Sequence, residues 1–261
     1  MKLDEIKKLH QKKYRNEFGN FLVEGEHLIL ELEKAVQNNP KLSAAKIYTS
    51  ESYGTFESAF EGTDSALQQT QISDKQMQKI SDTKSPQGIV AVVPLSAVLT
   101  ESTSDADINS GSGANSGKEQ RTIYLHEVQD PGNLGTILRT LAWFGNFKCV
   151  LSPNSVDPFN PKVVRASMGA IFHVPIEVDV TLDSLQTQFD QFACLDITGE
   201  PLSSPAFNQH QCFVFGNEAR GVPREELEKL NSQAFSIQGN GALESLNLAT
   251  AVNMCAYELN R

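Results

Sequence analysis

The sequence lacks three features that would assign a class at once: a long apolar run, closely spaced cysteines and an excess of positive charge. A bilayer-spanning helix needs about 18 consecutive apolar residues, and no stretch of the 261 residues approaches that length, so we expect no membrane partner. The opening stretch MKLDEIKKLHQKKYR is charged and amphipathic and has no apolar centre, so a secretory signal is not expected either.

The cysteines are scattered along the chain and form no C-x-x-C pair, so no metal site is expected. Three of the four lie inside apolar runs, where a thiol side chain behaves as a small buried hydrophobe. Such unpaired thiols favour a reducing cytoplasm as the location. The four residues are Cys149, Cys194, Cys212 and Cys255.

The charge balance is acidic, with a formal net charge of -10 at pH 7, which argues against a surface covered with phosphate-binding residues. The first 15 residues are an exception, because they hold six basic side chains against two acidic ones. Phosphate contacts act over about one Debye length, ~8–10 Å. A local basic segment therefore still allows a nucleic-acid partner, despite the total charge.

Residues 99–120, LTESTSDADINSGSGANSGKEQ, are dominated by Ser, Gly, Asp and Asn, and such a segment buries too little apolar surface to offset its conformational entropy. We predict a flexible linker between a first domain at 1–98 and a second at 121–261. Two motif-like stretches inside it are rejected. GSGANSG is not flanked by a strand and a helix, and DADINSG lacks the turn glycine and the glutamate of a calcium loop.

Both domains alternate strand and helix signals, which predicts an α/β fold. In the first, FLVEGEHLILELEKAV passes from a short strand into a helical period, and AKIYTS and QGIVAVVPL are strands. The second predicts a parallel sheet with helices on both faces, built from TIYLHEV, KCVLS, HVPIEV, FACLDI, CFVFG and AFSIQG. Such sheets bind ligands beyond the carboxyl ends of their strands, so the loops after the strands are the candidate sites.

The loop after TIYLHEV carries the turn DPGN, which opens a predicted helix near Gly132 and Asn133. One face of this helix is apolar and is expected to pack on the sheet. Arg139 lies on the opposite face with Asn133, Thr136, Thr140 and Trp143. Periodicity alone leaves a solvated arginine as the alternative to a functional one.

Two later loops are also unusual. After CFVFG, Gly216 would let a ligand approach the backbone and Glu218 places a carboxylate at the strand end; a glycine-rich turn with a helix-start acid is the alternative. After AFSIQG, a glycine-rich loop leads to Ser245 and Asn247 at the start of the last helix. Exposed main-chain amides there are able to hold a cofactor, whereas helix capping is the ordinary alternative.

Three motifs together are more specific than any one of them. DPGNLGTILRT, FGNEARGVP and SLNLATAV, in this order over about 120 residues, resemble the signature motifs of the SpoU (TrmH-type) RNA ribose methyltransferases of the SPOUT superfamily. The intervening PKVVRASMGAIFHVPI, with Arg165, Ser167 and Gly169, is similar to the family as well. KYRNEFGNFLVEGEHLILEL and SDTKSPQGIVAVV resemble the substrate-binding domain often attached to these enzymes, whose fold is like that of a small ribosomal protein (L30e-like).

This resemblance implies that S-adenosylmethionine binds in a trefoil knot formed by the carboxy-terminal loops. Gly216, Ile237 and Leu246 match positions that contact the cofactor, largely through backbone groups, and Arg139 matches an arginine implicated in catalysis. The family usually has proline after Ile237, where this chain has Gln238, so a looser cofactor loop is expected. The remaining motif residues, which shape the site, are Asn133, Glu218, Ser245 and Asn247.

The implied reaction is methyl transfer to a ribose 2′-hydroxyl of RNA, and the additional first domain favours rRNA over tRNA. An arginine side chain is a poor base, so we expect Arg139 to position a phosphate and stabilise the developing alkoxide; the proton acceptor is left open. The family also implies a homodimer packed partly through the last helix. Expected RNA contacts are Lys12, Lys13 and Arg15, aided by Tyr14, together with Arg165 and Arg220 near the catalytic end.

Two alternatives stay open at this point. Residues 2–15 equally fit a solvated amphipathic helix without an RNA contact. The whole chain also fits a non-catalytic RNA-binding protein, such as a ribosome-assembly factor, that retains the fold. The intact motif residues, including Arg139 and Glu218, argue against that second alternative.

Overall fold

The computed structural model describes residues 1–54, 67–83, 85–100 and 120–261, and the chain forms two compact units. The first unit consists of Met1–Leu99 and Asp157–His173, and the second of Thr100–Val156 and Val174–Arg261. Of the linker predicted at 99–120, residues 101–119 lie outside the described part of the chain. Within the described ranges, no helix is long and apolar enough to cross a membrane.

The first unit is built on a four-stranded sheet. Its elements are α1 (Leu3–Lys8), α2 (Lys12–Phe18), β1 (Asn20–Glu24), α3 (Glu26–Val36), β2 (Lys46–Ser50), β3 (Gln68–Ile72), α4 (Asp74–Ile80) and β4 (Ile89–Pro94). The strand order is β1-β4-β2-β3, with β2 and β3 parallel and the other pairs antiparallel. The predicted β1, α3, β2 and β4 are confirmed. The edge strand β3 was missed, because its polar residues show no apolar alternation.

The second unit alternates strands and helices. Its elements are β5 (Arg121–Leu125), α5 (Pro131–Phe144), β6 (Phe147–Leu151), β7 (Ile176–Glu177), α7 (Leu182–Leu185), β8 (Phe192–Pro201), β9 (Cys212–Phe215), α8 (Arg224–Leu227), β10 (Ser232–Ser236) and α9 (Leu248–Asn260). Between β6 and β7 the chain contributes α6 (Pro161–Ser167) to the first unit.

All six strands of the second unit are parallel, in the order β10-β8-β9-β5-β6-β7. On one face, Tyr124 and Val214 pack with Leu182 of α7 and Leu227 of α8. Side chains alternate along a strand, so the neighbouring strand positions face the other side, where α5 and α9 pack together. The predicted parallel α/β sheet with helices on both faces is confirmed, while the knot stays a prediction.

The described cysteines are all unpaired and buried, as predicted for those in apolar runs. Burial raises the pKa of the Cys149 thiol to about 12 and that of Cys194 to about 11, because a thiolate is poorly solvated inside a protein. Among the described residues, no cluster of His, Cys, Asp or Glu is arranged to hold a metal ion.

Candidate functional site

The loop between β5 and α5 is shaped by a helix cap. Asp130 is the N-cap residue, and its carboxylate accepts a hydrogen bond from the Asn133 backbone N–H at 2.7 Å. Pro131 occupies the first helical position, where its missing N–H costs no hydrogen bond. The helix therefore begins at Pro131, slightly earlier than predicted, and Asn133 projects from its first turn.

Three side chains that lie far apart in the sequence form one hydrogen-bond network, which we call the Asn133–Glu218–Asn247 network. The side-chain amide of Asn133 donates to the Glu218 carboxylate at 3.2 Å, and the side-chain amide of Asn247 donates to the side-chain oxygen of Asn133 at 2.8 Å. Glu218 also accepts from the backbone N–H groups of Gln129 at 3.1 Å and Asp130 at 3.2 Å. The network thus joins the loops that follow β5, β9 and β10 at one edge of the sheet.

Asn247 has a second role in the same network. It is the N-cap of α9, and its side-chain oxygen accepts from the Thr250 backbone N–H at 3.3 Å. The helix accordingly begins at Leu248, so Ser245 and Leu246 precede it, whereas the sequence suggested that they open it. Capping and network formation therefore coexist in Asn247, because its amide group offers both a donor and an acceptor.

The turn after β9 is held closed by Asn217. Its backbone pairs with Gly221 in both directions, at 2.9 and 2.8 Å, and its side-chain oxygen accepts from Ala219 and Arg220 N–H groups. A Cβ on Gly216 would lie 2.0 Å from the Gly221 carbonyl carbon, so no other residue fits there. The strand ends at Phe215, and the predicted Gly216 begins this tightly packed turn.

A second polar group beside the turn was not predicted. Glu127 pairs with Arg220, and its backbone oxygen accepts from Asn217 at 2.7 Å and from the Gln129 side chain at 2.9 Å. Gln129 also donates to the Asn154 backbone oxygen at 2.7 Å. Glu127 and Asn154 both have positive φ, 50° and 65°, a strained conformation that often marks functional sites. Glu127 and Asn154 follow β5 and β6, in the loops after strands that the sequence analysis named as candidate sites. Their contacts with Asn217 and Gln129 join different loops, so they could not be predicted from local sequence.

The predicted catalytic Arg139 is exposed on α5, on the face that periodicity indicated. Within the described chain its guanidinium has no hydrogen bond or ion pair, so it is free to meet an anion. Ser245 is exposed and makes no side-chain hydrogen bond with the described residues. The structure thus joins Asn133, Glu218 and Asn247 by contact and leaves Arg139 and Ser245 outside that network.

One detail of the α5 prediction is wrong. Thr140 is buried, although the helical wheel placed it on the outer face with Arg139. Its hydroxyl donates to the backbone oxygen of Thr136 one turn earlier, at 3.2 Å. This internal hydrogen bond satisfies the hydroxyl, so the side chain is accommodated at the border of the apolar face.

The segment between β10 and α9 offers unused main-chain groups. The strand ends at Ser236, one residue before the predicted Ile237, and none of the residues 237–246 makes a backbone–backbone hydrogen bond within the described chain. Leu243 is 82% exposed and Leu246 46% exposed. Polar main-chain atoms and apolar side chains are therefore both available to a ligand, and Gln238 is exposed among them.

The basic residues expected to meet RNA differ in availability. Lys12 and Lys13 are exposed on α2, whereas Arg15 is only 3% exposed and pairs with Asp157, its Nε lying 2.9 Å from the carboxylate. A second Arg15 nitrogen donates to the Leu9 backbone oxygen at 2.8 Å. The expectation that Arg15 contacts phosphate is therefore wrong, because its guanidinium is buried and already paired.

The two remaining predicted RNA contacts are also paired. In the first unit, Arg165 pairs with Asp82 at 2.8 Å and is partly exposed. Arg220 of the second unit pairs with Glu127 but is 69% exposed, so an incoming phosphate can compete for it. Such exposed pairs contribute about 0–1 kcal/mol, so both arginines stay available.

Family models match both parts of the chain. Residues 120–257 match the SpoU rRNA Methylase family, and residues 1–91 match the MRM3-like substrate binding domain. The motif loops of the second unit all lie within the first match. The chain therefore carries a SpoU methylase domain, and its first part is similar to the MRM3-like substrate binding domain.

Individual proteins are similar over almost the whole length. The 23S rRNA (guanosine(2553)-2'-O)-methyltransferase RlmP of Bacillus subtilis (strain 168) is 29% identical over 99% of this chain and 95% of its own. The AdoMet-bound rRNA methyltransferase of Sinorhizobium meliloti is 27% identical, with a TM-score of 0.74 over 98% of this chain and 93% of that one. The SpoU methyltransferase AviRb of Streptomyces viridochromogenes, 19% identical, shares the fold with a TM-score of 0.76 over 98% and 96% of the two chains.

Proposed function

Because this chain belongs to the SpoU rRNA methylase family, we propose that it transfers a methyl group from S-adenosylmethionine to a ribose 2′-hydroxyl of ribosomal RNA. The Asn133–Glu218–Asn247 network carries this proposal, since it brings the three motif loops to one edge of the sheet. The relative from Bacillus subtilis is named for action on 23S rRNA, which supports rRNA over tRNA as the substrate.

The loop from 237 to 246 fits the cofactor. Its main-chain groups are not used in backbone pairing, and Leu246 supplies an exposed apolar surface next to them. Gly216, Ile237 and Leu246 would hold S-adenosylmethionine, largely through backbone hydrogen bonds. When bound, the cofactor supplies a methyl group on a sulfonium, which an oxygen nucleophile removes by in-line displacement.

The side chains of the protein position the other reactant. Arg139 has no carboxylate partner among the described residues, so its planar fork can take two oxygens of a phosphate next to the target ribose. Its fixed positive charge also favours the negative charge that develops on the ribose oxygen. Asn133 and Glu218 keep the start of α5 in place, and the helix then fixes where Arg139 stands.

The amino-terminal helices supply an RNA-binding surface. Lys8 and Lys13 lie over the ring of Tyr14, with Nζ atoms 5.2 and 5.6 Å from its centroid. With Lys12, these side chains form a local basic surface on an otherwise acidic chain. We assign the phosphate contacts of the first unit to these lysines and not to Arg15.

The active form is a homodimer in this proposal. Met254 and Tyr257 are exposed on α9 and line a surface groove of about 380 Å³, together with Leu202, Asn253 and Glu258. The Tyr257 ring also lies 6.4 Å from that of Phe144 on α5, centroid to centroid. An exposed apolar surface of this kind is typical of a protein–protein contact, and the second copy would pack here.

The four thiols bear on the location. All are unpaired and buried, and unpaired thiols are typical of a reducing compartment. We place the protein in the cytoplasm on this ground, and fractionation of the native cells tests it.

Cofactor binding and product analysis test the function together. Calorimetry should show S-adenosylmethionine binding to the purified protein. Mass spectrometry of nucleosides should show that the rRNA of a deletion strain lacks one ribose methyl group. An Arg139→Lys variant should bind the cofactor normally and transfer methyl groups about a hundredfold more slowly, as expected when a placed charge loses its geometry. Absence of cofactor binding would instead favour a non-catalytic RNA-binding protein with this fold.

A further inference from the structure

An ion pair lies beside the Asn133–Glu218–Asn247 network without being part of it. Arg220 follows Glu218 by two residues in the turn after β9, and one of its terminal nitrogens donates to the carboxylate of Glu127, just beyond the end of β5. The side chain of Arg220 is 69% exposed, whereas that of Glu127 is 22% exposed. The pair therefore joins a largely buried anion to a cation that faces solvent.

The backbones of both partners are held by one side chain. The side-chain amide of Asn217 donates to the Glu127 backbone oxygen at 2.7 Å, and its side-chain oxygen accepts from the Arg220 backbone N–H at 3.0 Å. Asn217 is only 7% exposed, and its own backbone pairs with Gly221 in both directions. The two chain segments that carry the ion pair are therefore fixed relative to each other.

Glu127 has a backbone conformation that disfavours a glutamate. Its φ of 50° lies in the left-handed region, which glycine adopts without strain and side chains with a Cβ rarely adopt. Its N–H donates to the Ser152 hydroxyl at 2.6 Å, and its carboxylate accepts from the side-chain amide of Asn154 at 3.4 Å. The backbone alone would favour glycine at this position, so the role of the residue lies in its carboxylate.

The guanidinium of Arg220 is engaged at one end only. Among the described residues, its single partner is the Glu127 carboxylate, which meets one terminal nitrogen. The other N–H groups are left for an anion, and an arginine presents them in a planar fork that matches the oxygens of a phosphate. A carboxylate that holds one end of the fork restricts a flexible side chain, and it leaves the remaining donors uncovered.

We propose that Glu127 is a positioning residue for RNA, because it holds the guanidinium of Arg220 in the orientation that binds a phosphate of the substrate strand. The identity of this anion rests on the proposed function. The alternative is that Glu127 competes with RNA for Arg220. The two differ in sign: loss of an orienting carboxylate weakens RNA binding, although it removes a negative charge, whereas loss of a competitor strengthens it.

Steady-state kinetics of Glu127→Gln with an rRNA fragment test this sign. The KM for RNA should rise about two- to tenfold, as expected when one long side chain has to be ordered on binding, and kcat at saturating RNA should stay unchanged. Asp196→Asn is the matched control with an unchanged KM, since Asp196 pairs with Arg224, which is 66% exposed in the same unit. A lower or unchanged KM in Glu127→Gln would overturn the proposal.

A double-mutant cycle shows whether Glu127 acts through Arg220. Arg220→Gln should raise the KM for RNA by itself, and addition of Glu127→Gln should raise it no further, because no guanidinium is left to orient. Additive effects of the two substitutions would contradict a role through Arg220.

Glu127→Gly separates positioning from fold stability. This variant should unfold at no lower urea concentration than the wild type, because the left-handed conformation suits glycine, and its KM for RNA should still be raised. A raised KM that appears only together with lower stability would assign Glu127 to the fold.

Filter binding of the same fragment separates this proposal from the proposed function. Weaker RNA binding by Glu127→Gln, with no methyl transfer by any variant or by the wild type, would keep the phosphate site and remove the methyl transfer. Methyl transfer with unchanged KM and Kd for RNA in Glu127→Gln would keep the enzyme and remove the positioning role.

Discussion

At the scale of single residues, burial separates two arginines that look alike in the sequence. Arg15 and Arg139 were both expected to meet RNA, yet Arg15 is enclosed with Asp157 in the first unit while Arg139 is exposed without a partner in the described chain. The difference is not visible in local sequence, because Asp157 lies 142 residues from Arg15. One arginine therefore stabilises the fold, and the other is available for chemistry.

Replacement of Arg15 should destabilise the protein. In Arg15→Gln the carboxylate of Asp157 stays buried without its cation, and loss of one partner of a buried pair costs about 3–5 kcal/mol. Urea unfolding measures the change, and Lys12→Gln on the same helix is the control, expected within about 0.5 kcal/mol of the wild type. A stable Arg15→Gln variant with weakened RNA binding would restore the phosphate role that we reject.

The carboxylate of Glu218 should matter to catalysis. Glu218→Gln replaces one acceptor oxygen by an N–H group that faces the backbone donors of Gln129 and Asp130. Loss of one charge-assisted hydrogen bond, about 1.5 kcal/mol, corresponds to methyl transfer about tenfold slower. Single-turnover assays measure this rate, and Glu225→Gln on α8 is the control. If both variants react at the wild-type rate, the network does not position the reactants.

At the scale of elements, the strands of the second unit were predictable and their ends were not. Apolar runs such as FACLDI and CFVFG specify buried parallel strands, and β8 and β9 occur there. The start of α9 was predicted a few residues too early. Capping by Ser245 or Asn247 was one of the two interpretations of this loop, and the hydrogen bond from Thr250 identifies Asn247 as the cap. The contacts of Asn217 with Glu127 and of Gln129 with Asn154 were not predictable at all, since they connect the ends of different strands.

The turn after β9 provides a prediction at this scale. In Gly216→Ala the new Cβ would lie 2.0 Å from the Gly221 carbonyl carbon, so the turn between β9 and α8 has to open. We expect S-adenosylmethionine binding, measured by calorimetry, to weaken about tenfold or more, since the displaced backbone belongs to the proposed cofactor site. Gly54→Ala in the first unit is the matched control, because a Cβ there meets nothing within 4 Å. Equal affinities of the two variants would remove Gly216 from that site.

At the scale of the whole molecule, an acidic chain has to bind an anionic substrate. The net charge of -10 opposes RNA at long range, but at physiological ionic strength charges beyond about 8 Å are screened. Local basic groups on α2 and the exposed Arg139 on α5 can therefore still attract phosphates that come close to them. We expect little long-range attraction between the protein and RNA, and an RNA affinity that depends strongly on salt.

The lysines of α2 should account for part of that salt dependence. A double variant, Lys12→Gln with Lys13→Gln, removes two phosphate contacts, and the slope of log K against log salt should fall by about 1.4 for single-stranded RNA. Filter binding of an rRNA fragment over a series of salt concentrations gives this slope. Lys34→Gln, which removes a lysine paired with Glu31, is the control. An unchanged slope in the double variant would mean that α2 is a solvated helix without an RNA contact.

The groove on α9 should determine the oligomeric state. Tyr257→Glu adds a second carboxylate to the groove that Glu258 already lines beside Leu202 and Met254, so the proposed dimer should dissociate into monomers in sedimentation experiments. Gln238→Glu, which adds the same charge at an exposed loop position, is the control and should stay dimeric. A wild-type protein that sediments as a monomer at micromolar concentration would overturn the homodimer.

The partition of the chain has a consequence for its synthesis. The first unit includes Asp157–His173, which the ribosome adds long after Leu99 has emerged. At elongation rates of about 5–20 residues per second, the partner of Arg15 arrives roughly 3–12 s later. The nascent amino-terminal part therefore waits with an unpaired guanidinium, and its last folding step follows translation of the β6–β7 connection.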